Sequence, residues 1–480
     1  MKTEFPGHKT KIVATIGPAS ESAEMLMRLI RAGLNIARLN FSHGDFSRHA
    51  EVIQRIRHAA RETGRRVAIM ADLPGPKMRL GKIDPEPIQL VAGSRFTLTS
   101  ENVTGNAQHV SMSFARLPEV VKPGDRLFLN DGLVQLVAER VTGGDVECAV
   151  AVGGELRSRK GLNLPNIDLG ISAFTEHDRA CLEFALGAGV DAVSQSFVDG
   201  AADIAAVRAA AAKTGHQPLI IAKIERSNAL ANFDEILAAA DGIMVARGDL
   251  GVEIPIEEIA HTQKQLIAKA NLAGKPVITA TQMLESMVTS RLPTRAEATD
   301  VANAILDGTD GVMLSAESAV GKFPEEAVTM LARIAAFTES HRPRNSLSAG
   351  REFVQSRGEL KSADRMALLV EHALNTAPCD LLLVPASGGA TARGISRCKP
   401  PVWIVAPSDD PGICQRLAFS YGVYPVDFAE KPVDWAEFAP GWLRKLGIAA
   451  SQIMLVAGPS RRDPLATHRL EFIEPGGRGE

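Results

Sequence analysis

Residues 219–250 read LIIAKIERSNALANFDEILAAADGIMVARGDL, and two runs within this stretch have the character of strands in a parallel sheet. The runs LIIAKIE (219–225) and GIMVARGDL (242–250) both begin with an apolar segment rich in isoleucine and valine, which favour buried strands. Both end in charged residues, which are Lys223, Glu225, Arg247 and Asp249. The core of a parallel sheet needs no charges at the strand ends, whereas an active site does. We therefore expect the functional site at the carboxyl ends of these strands.

Six further runs of this type occur along the chain, and helical stretches lie between most of the eight. The six begin at Lys11, Asn35, Val67, Asp191, Pro276 and Gly311. The intervening stretches, such as FSRHAEVIQRIRHAARETG, place apolar residues at helical spacing and often end in glycine, which stops a helix. Eight strand–helix units predict an α/β fold, the closed (β/α)8 TIM barrel. A doubly wound sheet, with about six strands, is the structural alternative.

The alternation is interrupted after the third strand-like run. Over residues 74–170 the chain contains short strand-like runs such as RFTLTS and DVECAVAV, separated by turn signals such as Asn130-Asp131-Gly132. This pattern predicts a small inserted β-barrel domain, which divides the TIM barrel into residues 1–73 and 171–343. An insertion at this point lies above the C-terminal mouth of the barrel, where we expect it to act as a mobile lid.

A second α/β pattern follows the barrel. A polar segment that contains a proline, at residues 341–346, separates the two patterns. Beyond it four strand-like runs alternate with helical segments, and these runs are LLLVPAS, VWIVAPS, VYPVDF and IMLVAGP. We therefore expect residues 344–480 to form a separate open-sheet α/β domain.

Composition and charge narrow the class of protein. The 480 residues carry a formal net charge of −3, which gives no reason to expect nucleic acid or a membrane as a partner. The five cysteines include no C-x-x-C pair, which argues against a disulfide framework and a zinc site. No apolar run approaches the ~20 residues of a membrane span, and MKTEFPGH lacks the apolar core of a signal peptide. We expect a cytoplasmic protein.

Polar residues at the ends of the strand-like runs would converge at one rim of the barrel. Glu225 and Asp249 offer hard oxygen ligands for Mg²⁺, which favours carboxylates combined with substrate phosphate. Arg38 suits bidentate binding of phosphate, and Lys223 suits a point charge on a phosphoryl group in transfer. Each has a structural alternative, because Lys223 and Glu225 can form an ordinary ion pair and Arg38 can pair with Asp72. The other polar residues at this rim are Asn40, Ser42, Thr281, Ser315 and Glu317.

Several segments resemble the pyruvate kinase family. They are TKIVATIGPAS, ARLNFSHG, KGLNLPN, DGIMVARGDLGVEIP, ATQMLESM and PTRAEATDVANAILDGTDGVMLSAESAVGKFP. The similarity covers nearly all of the barrel and is weaker in the inserted and C-terminal domains. It implies an enzyme dependent on Mg²⁺ or Mn²⁺ that transfers the phosphoryl group of phosphoenolpyruvate to ADP. The products would be pyruvate and ATP, in the final step of glycolysis, and the family resemblance also implies a homotetramer.

The resemblance assigns roles in phosphoryl transfer to particular residues. Lys223 would stabilise the phosphoryl group in flight, and Arg38 would bind the substrate phosphate. Arg79 and Lys160, at the base of the inserted domain, match family residues that contact the nucleotide phosphates. The ligands of the divalent metal would be Glu225 and Asp249.

The resemblance also assigns the binding of the substrate carboxylate and the delivery of a proton. The backbone around Gly248 and Asp249, together with Thr281, would hold the carboxylate of phosphoenolpyruvate or pyruvate. Thr281 and a relay through Ser315 and Glu317 would deliver the proton to the enolate of pyruvate. A water molecule is the alternative proton donor.

One departure from the family concerns the monovalent cation. Many members bind K⁺ through a backbone oxygen after an aspartate and through side chains that match Asn40, Ser42 and Asp72. Those members carry a glutamate where this chain has Lys77, and Leu73 here also replaces the commoner threonine. An ammonium group near that site would supply the positive charge that K⁺ brings, so we expect activity without K⁺. The alternative is that Lys77 faces solvent.

The C-terminal region resembles the effector-binding domain of the family. Ser387, Gly388, Gly389 and Thr391 lie between a strand-like run and a helical one, where N–H groups and hydroxyls would cradle a phosphate. This turn has an apparent extra residue and no basic side chain, and the loop 459–463 also departs from the usual glycine-rich form. We expect allosteric regulation by a phosphorylated small molecule, and the alternative is a purely structural turn.

Two other functions fit parts of the pattern. Other barrels use Mg²⁺ with phosphoenolpyruvate or pyruvate for carbon–carbon chemistry, but they have no need of an inserted lid that carries Arg79 and Lys160. A non-catalytic metabolite sensor would be expected to lack Lys223, Glu225 or Asp249, and all three are present.

Overall fold

The computed structural model describes residues 5–343, 362–430, 432, 434–458 and 467–475. Within these residues, eight parallel strands close into a barrel. They are Lys11–Thr15, Leu34–Asn40, Ala68–Leu73, Ala192–Gln195, Leu219–Ile224, Gly242–Ala246, Val277–Ala280 and Gly311–Leu314. Each of the eight predicted runs contains one strand, so the predicted barrel is confirmed. The first strand pairs with the last, with Lys11 opposite Gly311, which rules out an open doubly wound sheet.

Helices cover the outside of the barrel, and their ends lie at residues that favour helix termini. The helix Arg295–Asp307 begins with a capping box between Thr294 and Glu297 and ends at Gly308, which has a left-handed backbone. The apolar faces of the helices pack on the strands in one continuous core. The other barrel helices are Ala23–Ala32, Phe46–Thr63, Glu176–Gly187, Ala201–Lys213, Ser227–Ala231, Phe233–Ala239, Arg247–Glu253, Ile259–Ala273, Ala316–Ala319 and Pro324–Ser340, with 3-10 turns at Ile256–Glu258 and Glu285–Val288.

The chain between the third and fourth barrel strands folds as the predicted β lid domain. A curled six-stranded sheet and a two-stranded sheet enclose their own apolar core, which includes Phe96, Leu127 and Leu136. The strands are Ile88–Leu90, Arg95–Thr99, His109–Ser111, Arg126–Leu129, Val134–Thr142, Asp145–Val152, Gly154–Leu156 and Leu162–Asn163, with one short helix at Leu117–Val120.

The two segments that join the lid domain to the barrel run side by side in opposite directions. Arg79 and Gly161 form an antiparallel bridge, and the N–H of Leu80 donates to the carbonyl of Lys160 at 2.9 Å. This pairing places Arg79 and Lys160, which lie far apart in sequence, at the same junction between the two domains.

The C-terminal domain is an open α/β sheet, as predicted. Its strands are Leu381–Leu383, Trp403–Ser408, Val423–Asp427, Ile453–Ala457 and Arg469–Ile473. The first four match the predicted runs, whereas the fifth was missed and pairs antiparallel with Ile453–Ala457. The helices are Ser362–Thr376, Ala390–Ser396, Pro411–Leu417 and Trp435–Lys445. The predicted loop 459–463 lies outside the described residues, and no helix within the described chain is long and apolar enough to cross a bilayer.

The C-terminal domain closes the end of the barrel that is remote from the lid. Ala418 and Phe419 are buried in the same apolar cluster as Val13 and Met313 of the barrel interior. Next to them, Asp310 of the barrel accepts from the N–H of Tyr421 at 2.9 Å. The two domains therefore share an apolar core and a buried polar contact.

Candidate active site

The carboxyl ends of the barrel strands and the base of the lid domain enclose a cleft of about 390 Å³. Its wall contains more cations than carboxylates, which suits a polyanionic ligand. The cations are Arg38, Lys77, Arg79, Arg159, Lys160 and Lys223, and the carboxylates are Asp72, Asp131, Glu225 and Asp249. The cleft thus brings together the residues predicted for phosphate, nucleotide and metal binding, which are distant in the sequence.

Lys223 is the centre of a buried ionic network at the end of the strand Leu219–Ile224. Its Nζ lies 2.7 Å from Glu225 Oε1 and 3.4 Å from Asp72 Oδ1, and it donates to Ser196 Oγ at 2.7 Å. Burial disfavours the ammonium form, but the charges of Asp72 and Glu225 outweigh burial and raise the pKa of Lys223. A charged ammonium group is therefore held in a fixed position on the wall of the cleft.

Arg38 and Asp72 form a buried pair on neighbouring strands. Arg38 Nε donates to Asp72 Oδ2 at 2.8 Å, and Arg38 Nη1 donates to Thr15 Oγ1 at 2.8 Å. Ser194 Oγ donates to the other carboxylate oxygen of Asp72 at 2.8 Å. Burial opposes ionisation of Asp72, yet the charges of Arg38 and Lys223 lower its pKa to about 2. The ion pair that we considered as an alternative is thus present, and it orients a guanidinium that also lines the cleft.

Glu225 and Asp249 fit a divalent cation. Glu225 Oε2 accepts from the N–H of Phe197 at 2.7 Å, and Asp249 lies in the first turn of the helix Arg247–Glu253. Burial raises the pKa of Asp249 to about 7, and the negative charge of Glu225 acts in the same direction. Two hard carboxylates that repel each other on one cleft wall match the ligand preference of Mg²⁺, whose charge would favour both ionised forms.

The backbone at Thr281 is held in an unusual conformation by its neighbours. Thr281 and Gln282 both have positive φ angles, 70° and 52°, which residues other than glycine rarely adopt. The N–H of Gly248 donates to Thr281 Oγ1 at 2.7 Å. Arg247 Nη2 donates to the Thr281 carbonyl at 2.8 Å, and Arg247 Nη1 donates to Asp300 Oδ1 at 2.7 Å. Sequence reasoning gave Arg247 no role, because its partners come from three other parts of the chain, which are the Thr281 segment and the helices Ile259–Ala273 and Arg295–Asp307.

Ser315 and Glu317 lie next to the segment that follows Thr281. Neither is among the described residues that line the cleft. Glu317 is fully buried, and its two carboxylate oxygens accept from the N–H of Leu284 at 3.1 Å and of Ser315 at 2.7 Å. These bonds join the loops that follow two neighbouring barrel strands. A proton relay through Ser315 and Glu317 stays a prediction.

Lys77 lines the cleft and is half-buried, which contrasts with the solvent-facing alternative. Burial, together with the charges of Arg79 and Lys223, lowers the pKa of Lys77 to about 8. Leu73 has a different position, because its side chain is fully buried in the barrel core. Three further residues of the predicted monovalent-cation site line the cleft, Asn40, Ser42 and Asp72.

The lid contributes more groups to the cleft than sequence reasoning identified. Arg79 and Lys160 line it as predicted, and Arg79 Nη1 donates to the carbonyl of Arg159 at 3.1 Å. Asp131 and Arg159 were missed, and both have positive φ angles, 56° and 63°. The turn signal Asn130-Asp131-Gly132 marked one of these positions but gave no reason to place it at the site.

The predicted effector turn lies at the end of a strand in the C-terminal domain. Ser387, Gly388 and Gly389 come between the strand Leu381–Leu383 and the helix Ala390–Ser396, which contains Thr391. Gly389 has a φ of 76°, a conformation that glycine adopts without strain. The turn is therefore where the sequence placed it, at the carboxyl edge of an open sheet.

Two parts of the chain match models of one protein family. Residues 7–328 match the model described as the pyruvate kinase barrel domain, and residues 364–467 match the pyruvate kinase alpha/beta domain. The chain belongs to the pyruvate kinase family. The resemblance inferred from the motifs is thereby confirmed, and the barrel, the lid and the C-terminal sheet agree with it.

Similar proteins extend this assignment over most of the chain. A pyruvate kinase from Thermococcus litoralis is 49% identical over 437 residues, which cover 90% of this chain and 92% of that protein. A pyruvate kinase from Geobacillus stearothermophilus is 43% identical over 421 residues, which cover 87% of this chain and 71% of that protein. A crystal structure of a pyruvate kinase from Cryptosporidium parvum matches with a TM-score of 0.90 at 34% identity, covering 98% and 96% of the two chains. This chain is accordingly an enzyme of the pyruvate kinase family.

Proposed function

We propose that this pyruvate kinase transfers the phosphoryl group of phosphoenolpyruvate to ADP, giving pyruvate and ATP in the final step of glycolysis. The observation that carries the proposal is one cleft in which Lys223 and Arg38 of the barrel face Arg79 and Lys160 of the lid. Cations on both walls suit two phosphate-bearing substrates. In phosphoryl transfer the attacking oxygen of one substrate and the leaving oxygen of the other must lie in line with the transferred phosphorus.

The barrel residues act on the phosphate of phosphoenolpyruvate. Lys223 places its ammonium on the phosphoryl group in transfer, where positive charge stabilises the transition state more than the ground state. Arg38 binds the same phosphate, and its pairing with Asp72 and Thr15 fixes the direction of its guanidinium. On the lid side, the nucleotide phosphates are bound by Arg79 and Lys160.

Glu225 and Asp249 hold Mg²⁺ or Mn²⁺, in keeping with their hard oxygen donors and mutual repulsion. When bound, the cation supplies Lewis-acid charge to phosphate oxygens. Glu225 is buried and Asp249 is partly buried, which limits access of bulk water to a cation held between them. Closure of the lid over the cleft excludes water from the reacting phosphate and limits hydrolysis.

The substrate carboxylate and the enolate are bound next to Asp249, which lines the cleft, by a segment that includes Gly248 and Thr281. The backbone N–H groups near Gly248 and Asp249 bind the carboxylate of phosphoenolpyruvate, together with the Thr281 hydroxyl. Thr281, with a relay through Ser315 and Glu317, also delivers the proton to the enolate. The Thr281 hydroxyl accepts from the Gly248 N–H at 2.7 Å and donates to the Ala280 carbonyl at 2.6 Å before it turns to the enolate. Ser315 and Glu317 support the backbone behind Thr281, and a water molecule is the alternative proton donor.

The enzyme works without K⁺. Lys77 lines the cleft with Asn40 and Ser42, and its charge acts on Asp72 as well as on Asp249. An ammonium group in this position supplies the positive charge that K⁺ brings in other members.

The enzyme is a cytoplasmic homotetramer under allosteric control. A phosphorylated effector binds at the turn formed by Ser387, Gly388, Gly389 and Thr391, whose N–H groups and hydroxyls suit a phosphate. We place the domain divisions at residues 73, 170 and 343, next to the paired segments of the lid and the end of the helix Pro324–Ser340.

A test of the proposed reaction measures pyruvate and ATP formed from phosphoenolpyruvate, ADP and Mg²⁺. We expect equal amounts of both products. Glu225→Gln and Asp249→Asn should raise the Mg²⁺ concentration for half-maximal activity by about tenfold or more, and should weaken Mn²⁺ binding followed by electron paramagnetic resonance. The exposed Glu257→Gln serves as a matched control. Absence of pyruvate with either metal would reject the proposal.

A further inference from the structure

A second cavity, of about 350 Å³, lies between the barrel and the C-terminal domain. On the barrel side it is lined by Leu219 and Asp241, at the amino ends of two strands, and by residues 273–275 after a helix. The cavity is therefore at the end of the barrel remote from the active cleft. Its C-terminal side is lined by Asp364, Gly388, Ala390, Arg393, Gly394 and Arg416.

Arg393 and Arg416 bring two positive charges to this cavity. Among the described residues, neither guanidinium has a carboxylate within ion-pair distance or donates a hydrogen bond to a side chain or a carbonyl. Burial lowers the pKa of Arg393, and the charge of Arg416 acts in the same direction. Two guanidinium groups that repel each other in one cavity have a strong electrostatic preference for an anion between them.

The carboxylates in the cavity wall neutralise this charge only in part, because both have other partners, although the charge of Asp241 raises the pKa of Arg393 against the effect of burial. Asp241 Oδ2 accepts from Arg208 Nη2 at 3.0 Å, and Asp364 Oδ1 accepts from Arg397 Nη1 at 2.8 Å. Lys275 adds a further cation, and its Nζ is held at 2.9 Å from the Ala238 carbonyl, where a helix ends. The cavity is therefore net positive.

Gly388 and Gly389 of the predicted effector turn have no side chains, and the side chain of Arg393 occupies the space beside Gly389. A Cβ atom at Gly389 would lie 2.9 Å from Arg393 Nη1, whereas a Cβ at Gly388 would meet no atom within 4 Å. Arg393 thus reaches back from the helix Ala390–Ser396 over a turn that has no basic side chain of its own. A guanidinium fork beside open backbone is an arrangement that suits the oxygens of a phosphate.

We infer that this interdomain cavity binds a phosphate dianion between Arg393 and Arg416, either as inorganic phosphate or as a small phosphate monoester. A phosphate monoester carries nearly two negative charges at neutral pH, which matches the two guanidinium groups. The volume also accommodates a small organic group attached to the phosphate. The inference deepens the proposed regulation, on which it rests for a biological role, but binding itself does not depend on that proposal.

The test is calorimetric titration of the full chain at constant ionic strength, with chloride as the background anion. Inorganic phosphate and glycerol 3-phosphate are the two probes, and tighter binding of glycerol 3-phosphate identifies a monoester as the ligand. We expect Arg393→Gln and Arg416→Gln each to weaken binding about tenfold or more. Arg393→Lys should bind more tightly than Arg393→Gln. The control is Arg444→Gln, in another helix of the same domain.

We also expect phosphate to bind in the cation-rich active cleft, and that contribution is common to all these variants and cancels in the comparison. Phosphate should raise the melting temperature of the parent enzyme and of Arg444→Gln, and should do so less in the Arg393 and Arg416 variants. Equal affinity in all variants overturns the inference. Loss of binding in Ser387→Ala and Thr391→Ala, with Arg393→Gln and Arg416→Gln unaffected, also overturns it and leaves the proposed effector turn in place. If the Arg393 and Arg416 variants lose phosphate binding but phosphate has no effect on the activity of the parent enzyme, the result supports the site and rejects its regulatory role.

Discussion

Lys77 is the residue at which this chain departs most informatively from its family. The side chain is half-buried on the wall of the cleft, with four charged groups close enough to affect its pKa. An ammonium group that interacts electrostatically with Asp72 changes the electrostatics of the substrate site in the direction that a bound K⁺ would. The substitution therefore has a physical consequence, which two experiments test.

Replacing Lys77 by glutamate should make the enzyme dependent on K⁺. We expect the kcat/KM for phosphoenolpyruvate of Lys77→Glu to fall about 100-fold in tetramethylammonium chloride and to recover largely in KCl. The parent enzyme should differ less than about twofold between the two salts. Lys82→Glu, a change at an exposed lid residue, is the control. A parent enzyme that needs K⁺ would show that Lys77 does not replace the cation.

Stimulation by K⁺ should also depend on pH. Because the pKa of Lys77 is lowered to about 8, its ammonium form is present below that pH and is lost as the pH rises. The ratio of kcat/KM in KCl to kcat/KM in tetramethylammonium chloride should therefore be near one at pH 7 and increase above pH 8. A ratio that is constant over this range would contradict the assignment of the charge to Lys77.

Residue types at the strand ends were predictable, while their local partners were not. Buried parallel strands are apolar along their length, so Lys223, Glu225 and Asp249 were conspicuous in the sequence. Ser196 accepts from Lys223, and the N–H of Phe197 donates to Glu225. Such pairs depend on which strands are neighbours in the barrel, which a single sequence does not reveal.

At the scale of elements, the barrel strands were predicted well because each is a short apolar run followed by a helix. The strand Arg469–Ile473 was missed because its charged and apolar residues alternate, as is common at a sheet edge, and only one of its residues is buried. The segment after the strand Val277–Ala280 was also beyond sequence reasoning. Its positive φ angles at Thr281 and Gln282 are maintained by contacts with a helix that precedes it in the chain.

Arg247 should control the position of this segment without contacting the substrate. Left-handed backbone at a β-branched residue costs about 1–3 kcal/mol, and the bonds from Arg247 to the carbonyls of Ala280 and Thr281 offset that cost. Arg247→Met should lower kcat and raise the KM for phosphoenolpyruvate, with kcat/KM reduced about tenfold or more.

The kinetic comparison uses Arg247→Lys and Arg55→Met as controls, since Arg55 lies on the surface of another barrel helix. Arg247→Lys should recover part of the lost kcat/KM, and Arg55→Met should behave as the parent enzyme. An Arg247→Met variant with unchanged kinetics would show that the Thr281 segment holds its conformation without the guanidinium.

At the scale of the whole molecule, the active cleft and the C-terminal domain lie at opposite ends of one barrel. Phe419 of the C-terminal domain is buried among residues that line the barrel interior, including Val13 and Met313. The same interior continues to the strand ends that carry the active-site residues. Packing at the base of the barrel is therefore in physical contact with the scaffold of the cleft.

Removing the Phe419 ring should destabilise the protein substantially. A buried phenylalanine replaced by alanine leaves a cavity and costs about 3–5 kcal/mol in the free energy of unfolding. We expect Phe419→Ala to show this loss in urea unfolding. Phe472→Ala, which changes a partly exposed ring in the same domain, should cost much less. Equal effects of the two changes would argue against a shared core between the domains.

The most direct test of the proposed chemistry is the rate of pyruvate formation by Lys223→Met. Methionine retains much of the side-chain volume but leaves Asp72 and Glu225 without the ammonium group that lies between them. We predict that kcat falls about 1,000-fold or more, while the exposed Lys213→Met variant keeps the parent rate. A folded Lys223→Met enzyme with kcat within about tenfold of the parent would contradict the role of Lys223 in stabilising the transferred phosphoryl group.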